Sequence, residues 1–136
     1  MNILLDKDAI IPNRAHELDA GYDLYCREDV NVPANGSAII DTGVHFDIPK
    51  GYVGFLKSKS GLNVKAGLTG TGVIDSGYNG SVIVKLYNNT DKDYLFNKGN
   101  KIIQIIFLPI YTPDFTIVDS FDDSERGSNG FGSTGK

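Results

Sequence analysis

The residues best suited to chemistry fall in short groups where a carboxylate, cation or hydroxyl is set among glycines. The sharpest is Gly72-Val73-Ile74-Asp75-Ser76-Gly77-Tyr78-Asn79-Gly80. Its acid follows a β-branched pair and precedes a glycine turn, with a tyrosine three residues on, as in a hairpin whose backbone faces a ligand. Lys57-Ser58-Lys59-Ser60-Gly61-Leu62 combines cations, hydroxyls and a glycine, a set that cradles phosphates or decorates a surface turn. Ala20-Gly21-Tyr22-Asp23-Leu24 puts an acid at the mouth of a turn, where Asp ordinarily closes an Asx-turn. Gln104 stands alone in an apolar run, and a buried amide there needs partners for its donors and acceptor. Near the end, Arg126 and Phe131 lie in a glycine-rich stretch. The ordinary reading is a mobile terminus, but a lid also needs one cation for phosphate and one ring for stacking. Gly130, Gly132 and Gly135 match dinucleotide and phosphate-loop strings only by letter, because the strand–loop–helix setting those motifs require is missing.

Composition narrows the field. Cys26 has no partner for an internal disulfide, and with only two histidines there is no Cys/His zinc cluster to assemble. Any metal must be held by oxygens. A net charge of −4 with scattered basic residues argues against nucleic acid or an anionic membrane as partner. The opening MNILLDKDAI is too short and too charged for a leader or membrane span, so the expected location is cytoplasmic. His16 and His45 are read as hydrogen-bonded structural or surface residues, Cys26 as packing, and Asp91, Asp93, Asp122 and Asp123 as solvated surface.

The 136 residues make about one domain. Its periodicity is that of short strands, expected over Asp23–Cys26, Ser37–Asp41, Tyr52–Lys57, Ser81–Tyr87 and Lys101–Pro109, each bounded by turn residues. Val82, Val84 and Leu86 alternate with more exposed positions, as in a strand with one face in the core. One short helical turn is expected over Ser60–Ala66, with Ser60 as its cap. The pattern is all-β: sandwich, jelly roll or barrel. The run Ile102 to Leu108 is apolar on both faces, so it is either a central buried strand or part of a subunit interface. The division expected is a β domain over 1–119 and a Gly-rich arm over 120–136.

Taken in order, these strings resemble the motifs of the trimeric dUTPase family: Ala20 to Leu24, Lys59 to Leu62, Gly72 to Gly80, Gly99-Asn100-Lys101-Ile102-Ile103-Gln104, and Arg126 to Gly135. The resemblance implies a jelly-roll subunit, a homotrimer with sites at subunit junctions, and Mg-dependent hydrolysis of dUTP to dUMP and diphosphate. It implies that Asp75 positions and activates the water that attacks the α-phosphorus. Asp23 would support the metal and water network indirectly, with Mg2+ held mainly through phosphates and water. Lys59, Ser60, the Gly61 N–H and Gln104 would hold the phosphates. Gly72, Val73, Ile74 and Ile83 would belong to a hairpin that receives uracil through its backbone, and Tyr78 would pack under the deoxyribose and refuse a 2′-hydroxyl. Arg126 would clamp the γ-phosphate, and Phe131 would stack on the base with Gly132 beside it.

Three positions depart from the family pattern. Lys59 stands for an Arg, Asn79 for a frequent Arg and Asn100 for a frequent Asp. Lys lacks the planar fork of Arg, so looser phosphate orientation is expected. Two rivals were weighed. A dCTP deaminase of the same fold would need an acid/base near C4 of the base, and Gly72 to Tyr87 contains no Glu. A catalytically silent nucleotide binder or protein-interaction trimer is the other, suggested by Lys59, Asn79 and Asn100, and dUTP binding without turnover would favour it.

Overall fold

The computed structural model describes residues 1–124 and 127–128. Eleven strands and one short helix follow one another: β1 Asn2–Leu5, β2 Tyr22–Tyr25, β3 Val30–Val32, β4 Ser37–Asp41, β5 Val44–Asp47, β6 Tyr52–Lys57, α1 Ser60–Ala66, β7 Leu68–Thr69, β8 Thr71–Ile74, β9 Ile83–Asn88, β10 Tyr94–Phe96 and β11 Lys101–Pro109. Every pairing is antiparallel. A four-stranded sheet runs β2-β11-β6-β8, a three-stranded sheet runs β4-β9-β7, and two ribbons, β1-β5 and β10-β3, complete the fold. It is the expected all-β jelly-roll architecture.

The core lies between the sheets. Leu24, Leu56, Ile74, Ile103 and Ile105 from the larger sheet belong to one buried cluster with Ile40, Leu68, Val84 and Leu86 from the smaller. Strand β9 shows why its sequence takes this form: Val84 and Leu86 are buried while Ile83, Lys85 and Tyr87 face out. Each fully buried aliphatic side chain contributes about 1.5–3 kcal/mol. Val82 is also buried, although it precedes the strand. Its N–H donates to the Val44 carbonyl at 2.8 Å.

The doubly apolar run has two fates within one strand. Strand β11 is central, flanked by β2 and β6. A register shift between Lys101 and Ile103 lets the consecutive Ile102 and Ile103 both be buried, which regular alternation forbids. Farther along, Ile106 and Phe107 are half-buried, and Leu108 is exposed together with Ile110 beyond the strand end.

Two local expectations need correcting. Ser60 does not cap α1; Lys59 is the N-cap residue, without a side-chain cap, and Ser60 is the first helical residue. Strands β8 and β9 do not form a paired hairpin, since β8 pairs with β6 and β9 with β4 and β7. The segment between them is an arch from one sheet to the other. After β11 no regular element follows in residues 110–124, where Tyr111, Phe115, Ile117 and Phe121 are all strongly exposed. Arg126, Phe131 and Gly132 lie outside the described residues.

Candidate active site

Three of the chemistry-bearing groups converge at one end of the larger sheet. Register sets Gln104 of β11 opposite Asp23 of β2 on one side and Lys57 of β6 on the other. The chain leaving β6 then carries Lys59 into α1 across the mouth of the same strands. The resulting cleft, about 270 Å3, is lined by Gly21, Asp23, Lys59, Ser60, Lys101 and Gln104, among others.

Asp23 is its centre. Far from closing a turn, it sits inside β2 with a side chain only 6% exposed. It pairs with the Lys59 ammonium through one carboxylate oxygen and with Lys101 through the other, at 2.7 Å. Burial acts to raise its pKa, but the hydrogen bonds and charges of Lys101 and Lys59 outweigh that and hold the carboxyl below the usual range. Lys101 was missed as a site residue in the sequence. Its signal was its place one step before an apolar run, at the strand end nearest the second motif.

Gln104 accounts for its place in the apolar strand. Its amide nitrogen donates to the Ser58 carbonyl at 3.2 Å, tying down the residue before Lys59. Ser58 is itself fixed, donating to the Gly70 carbonyl at 3.0 Å and accepting from the Gly70 N–H at 2.9 Å. A Cβ on Gly21 would fall 2.4 Å from the Gln104 amide oxygen. Gly21→Ala is therefore expected to keep the fold, because the end of the long Gln104 side chain can swing aside, but to loosen the Ser58–Lys59 segment, which then keeps only its ties to Gly70. The expected result is a several-fold rise in KM for a phosphate-bearing substrate with little change in melting temperature; an unchanged KM would show that Gln104 does not set the cleft.

Helix α1 makes its first internal bond from the Asn63 N–H to the Lys59 carbonyl, leaving the N–H groups of Ser60, Gly61 and Leu62 without helical acceptors. A Cβ at Gly61 would meet nothing within 4 Å, so packing within the chain does not demand this glycine.

The third motif lies elsewhere. Ile74 is opposite Gly54 and Thr71 opposite Lys57, so Asp75 and Lys59 lie off opposite ends of β6, on the order of 15 Å or more apart at the usual strand rise. Val73, Asp75, Tyr78 and Ile83 are all exposed, Ile74 is at the edge of the core and Gly72 is half-buried. The turn after Asp75 is closed by the Tyr78 N–H donating to the Asp75 carbonyl at 3.2 Å, with Gly77 at a φ of 86°, a conformation that suits glycine. The Tyr78 hydroxyl donates to the Ser81 carbonyl at 3.0 Å. Its ring lies so close over Gly80 that a Cβ there would stand 2.3 Å from the hydroxyl oxygen.

The substituted positions have local roles. Asn100 accepts the Asn97 N–H on its side-chain oxygen at 2.9 Å and closes that turn. The Asn79 carbonyl meets His45. Cys26 is buried, its thiol facing the Asn97 carbonyl at 3.0 Å, and burial pushes its pKa up. Among the described residues, no group of three or more His, Cys, Asp or Glu is placed to hold a metal ion, and no helix is long and apolar enough to cross a membrane.

The arrangement agrees with what the chain is similar to. The dUTPase family model matches residues 7–135. Deoxyuridine 5′-triphosphate nucleotidohydrolases of Paramecium bursaria Chlorella virus 1 and Kluyveromyces lactis are 44% and 40% identical, over 96% and 98% of this chain and 94% and 91% of theirs. The dUTPase of Staphylococcus bacteriophage 80alpha, solved with dUpNHpp, superposes with a TM-score of 0.94 at 34% identity, covering 99% of this chain and 98% of that one. A mutant dUTPase from phage phi11 of S. aureus, solved to show the coordination of a structural Mg(II) ion, gives a TM-score of 0.83 at 33% identity over 88% of this chain and 97% of its own. With a family match over nearly its whole length and relatives at about 40% identity, the chain belongs to the dUTPase family.

Proposed function

We infer that this protein hydrolyses dUTP to dUMP and diphosphate by attack of water on the α-phosphorus. The observation that carries the reading is the cleft at the end of the larger sheet, where Lys59, Lys101, Ser60 and Gln104 surround one buried acid. Two ammonium groups and a helix start with free N–H groups suit a phosphate chain. Phosphoryl transfer relies chiefly on positioning and charge neutralisation, and Lys59 and Lys101 supply charge while Ser60, Gly61 and Gln104 fix orientation.

The donor set fits a divalent cation that arrives on the phosphates. Of the two carboxylates lining the cleft, Asp19 and Asp23, only Asp23 is buried, and both its oxygens already accept from ammonium groups. A water-mediated contact through Asp23 therefore suits the site better than a protein cage, and Mg2+ commonly keeps several waters. A bound Mg2+ supplies neutralisation of charge on the phosphate oxygens.

Asp75 accepts a hydrogen bond from the attacking water and aligns it. Val73, Ile74 and Ile83, with the backbone from Gly72, flank the uracil site, and Tyr78 packs against the deoxyribose. The tie from Tyr78 to Ser81 and the lack of room above Gly80 hold the ring in place, so a 2′-hydroxyl is refused by a surface that does not yield. The arm beyond residue 119, with Arg126, Phe131 and Gly132, closes over phosphate and base.

The same geometry supports a homotrimer with sites shared between subunits. Asp75 and Lys59 of one chain diverge along β6, too far apart to serve one triphosphate. The exposed Val73, Tyr78 and Ile83 beside Asp75, and the uncovered end of β11, leave apolar surface for a neighbour.

Incubation of the purified protein with dUTP and Mg2+ is expected to give dUMP and diphosphate, with dCTP and UTP turned over far more slowly. No turnover of dUTP between about pH 6 and 9, or ammonia released from dCTP, would overturn the reading.

A further inference from the structure

One charged cluster has no part in the phosphate cleft. At the β4–β5 corner Arg27 pairs with Asp41 at 2.5 Å and with Asp6 at 3.5 Å. Asp41 accepts from the Ser81 hydroxyl and, at 2.9 Å, from the Gly43 N–H. His45 of β5 stands between this cluster and the arch from β8 to β9. Its Nε2 is 3.2 Å from an Asp6 carboxylate oxygen and its Nδ1 is 2.8 Å from the Asn79 carbonyl.

The arch is fastened unevenly. Its far end is secured by the Val82 N–H to the Val44 carbonyl, by the Thr42 N–H and hydroxyl to the Val82 carbonyl, and by Ser81 to Asp41. Its interior bonds, Tyr78 N–H to Asp75 and Tyr78 hydroxyl to Ser81, fix the turn only to itself. Among the described residues, the His45–Asn79 contact is the only hydrogen bond that reaches residues 76–80 from outside the arch. With the two ends held by β8 and by Ser81, it is the one direct tie among the described residues between the middle of the turn bearing Asp75 and Tyr78 and the body of the sheet.

We propose that His45 is a positioning residue for dUTP hydrolysis, a proton-dependent clasp that holds the Asp75–Tyr78 turn in register through the Asn79 carbonyl. The proposal rests on the dUTPase reading given above. Both partners of His45 are acceptors, a carbonyl and a carboxylate. Only the imidazolium has an N–H for each; the neutral ring has one, so either Asn79 or Asp6 faces a lone pair. The charged groups facing the ring are Asp6 after β1, Asp41 at the end of β4, and Arg27 behind both. The Asn79 carbonyl raises the His45 pKa; burial works against it, and the Asp6 and Asp41 carboxylates add to the rise. The sign follows: the clasp is complete below the ordinary value of 6.5 and weakens as pH rises through the higher folded-state pKa. The ring can exchange protons freely, because it lines an open hollow of about 570 Å3 with Asn79 and Phe46.

The test compares kcat/KM for dUTP in the native protein, His45→Ala and His45→Asn from about pH 5.5 to 8.5. Ionisation of the substrate is common to all three, so the ratios isolate His45. His45→Ala is expected to be about five- to tenfold slower than native at the acid end and to approach it at the alkaline end. His45→Asn offers an amide N–H in place of Nδ1 and should restore the rate at acid pH while flattening the ratio. A native-to-Ala ratio that stays constant with pH, or a failure of Asn to rescue, overturns the proposal. Backbone amide NMR of the native protein gives a readout independent of turnover. The Asn79 and Gly80 signals should titrate with the His45 ring, and their indifference to it would also refute the clasp. Absence of dUTP turnover in the native protein would instead overturn the functional reading, leaving the NMR result to decide the clasp.

Discussion

Asp75→Asn is expected to lower kcat for dUTP by roughly 10²–10⁴-fold, the range for losing a positioned proton acceptor, while affinity for a non-hydrolysable analogue changes by only a few-fold. The two side chains have nearly the same shape, so the reaction loses an acceptor and not a contact surface. Little of the effect can come from folding. Asp75 is exposed, and it is the backbone carbonyl, which the substitution keeps, that closes the turn with Tyr78. The expected signature is a fall in kcat and kcat/KM together, which marks an interaction made in the transition state. Separate measurements of single-turnover rate and analogue affinity check it; an unaltered rate would remove Asp75 from its role.

Part of the fold and of the cleft was legible in the sequence, and the reason differs from residue to residue. The alternation through Val82, Val84 and Leu86 had one solution, because a strand with one buried face must place every second residue inward. Gln104 announced itself as a polar group in an apolar strand, and its bond to Ser58 is the partner such a group requires. The short strands β1, β3, β5, β7 and β10 were not legible, since two to four residues carry too little periodicity to distinguish a strand from a turn. Strand β1 is exposed along its whole length, which leaves no pattern to read. Asp23 was recognised by its motif, but its burial between two lysines depends on β2, β6 and β11 meeting across some eighty residues of chain. Lys101 and His45 were passed over for the same reason. Each gains its role from a partner distant in sequence, Asp23 for one and Asn79 with Asp6 for the other.

Two inactive variants are expected to restore each other. Asp75→Asn removes the proton acceptor on the arch, and Lys59→Ala removes a phosphate cation at the opposite end of β6. The second change leaves Asp23 still paired with Lys101, so it does not abandon a buried charge, which would threaten the fold. If Asp75 and Lys59 of one site come from the same chain, every site in a mixed oligomer carries one defect and the mixture is as dead as its parents. If they come from neighbouring chains, random co-assembly into trimers gives about one site in four with both residues native, and selection for both tags, which removes the parental trimers, raises this to about one in three, so about a third of the native rate returns. Co-expression with two affinity tags, followed by purification and a dUTP assay, distinguishes these outcomes by a large margin, because each parent should lie far below that level. Activity that stays at the parental level in verified mixed oligomers would place the whole reaction within one chain. That would require one nucleotide's phosphates to meet both the arch and the cleft, which lie on the order of 15 Å apart, and the antiparallel pairing of β6 with β8 and β11 resists any narrowing of that gap. On the proposed function, the register along β6 makes a shared site a matter of distance: an acid that its own chain holds on the order of 15 Å from its own phosphates would have to serve those of a neighbour.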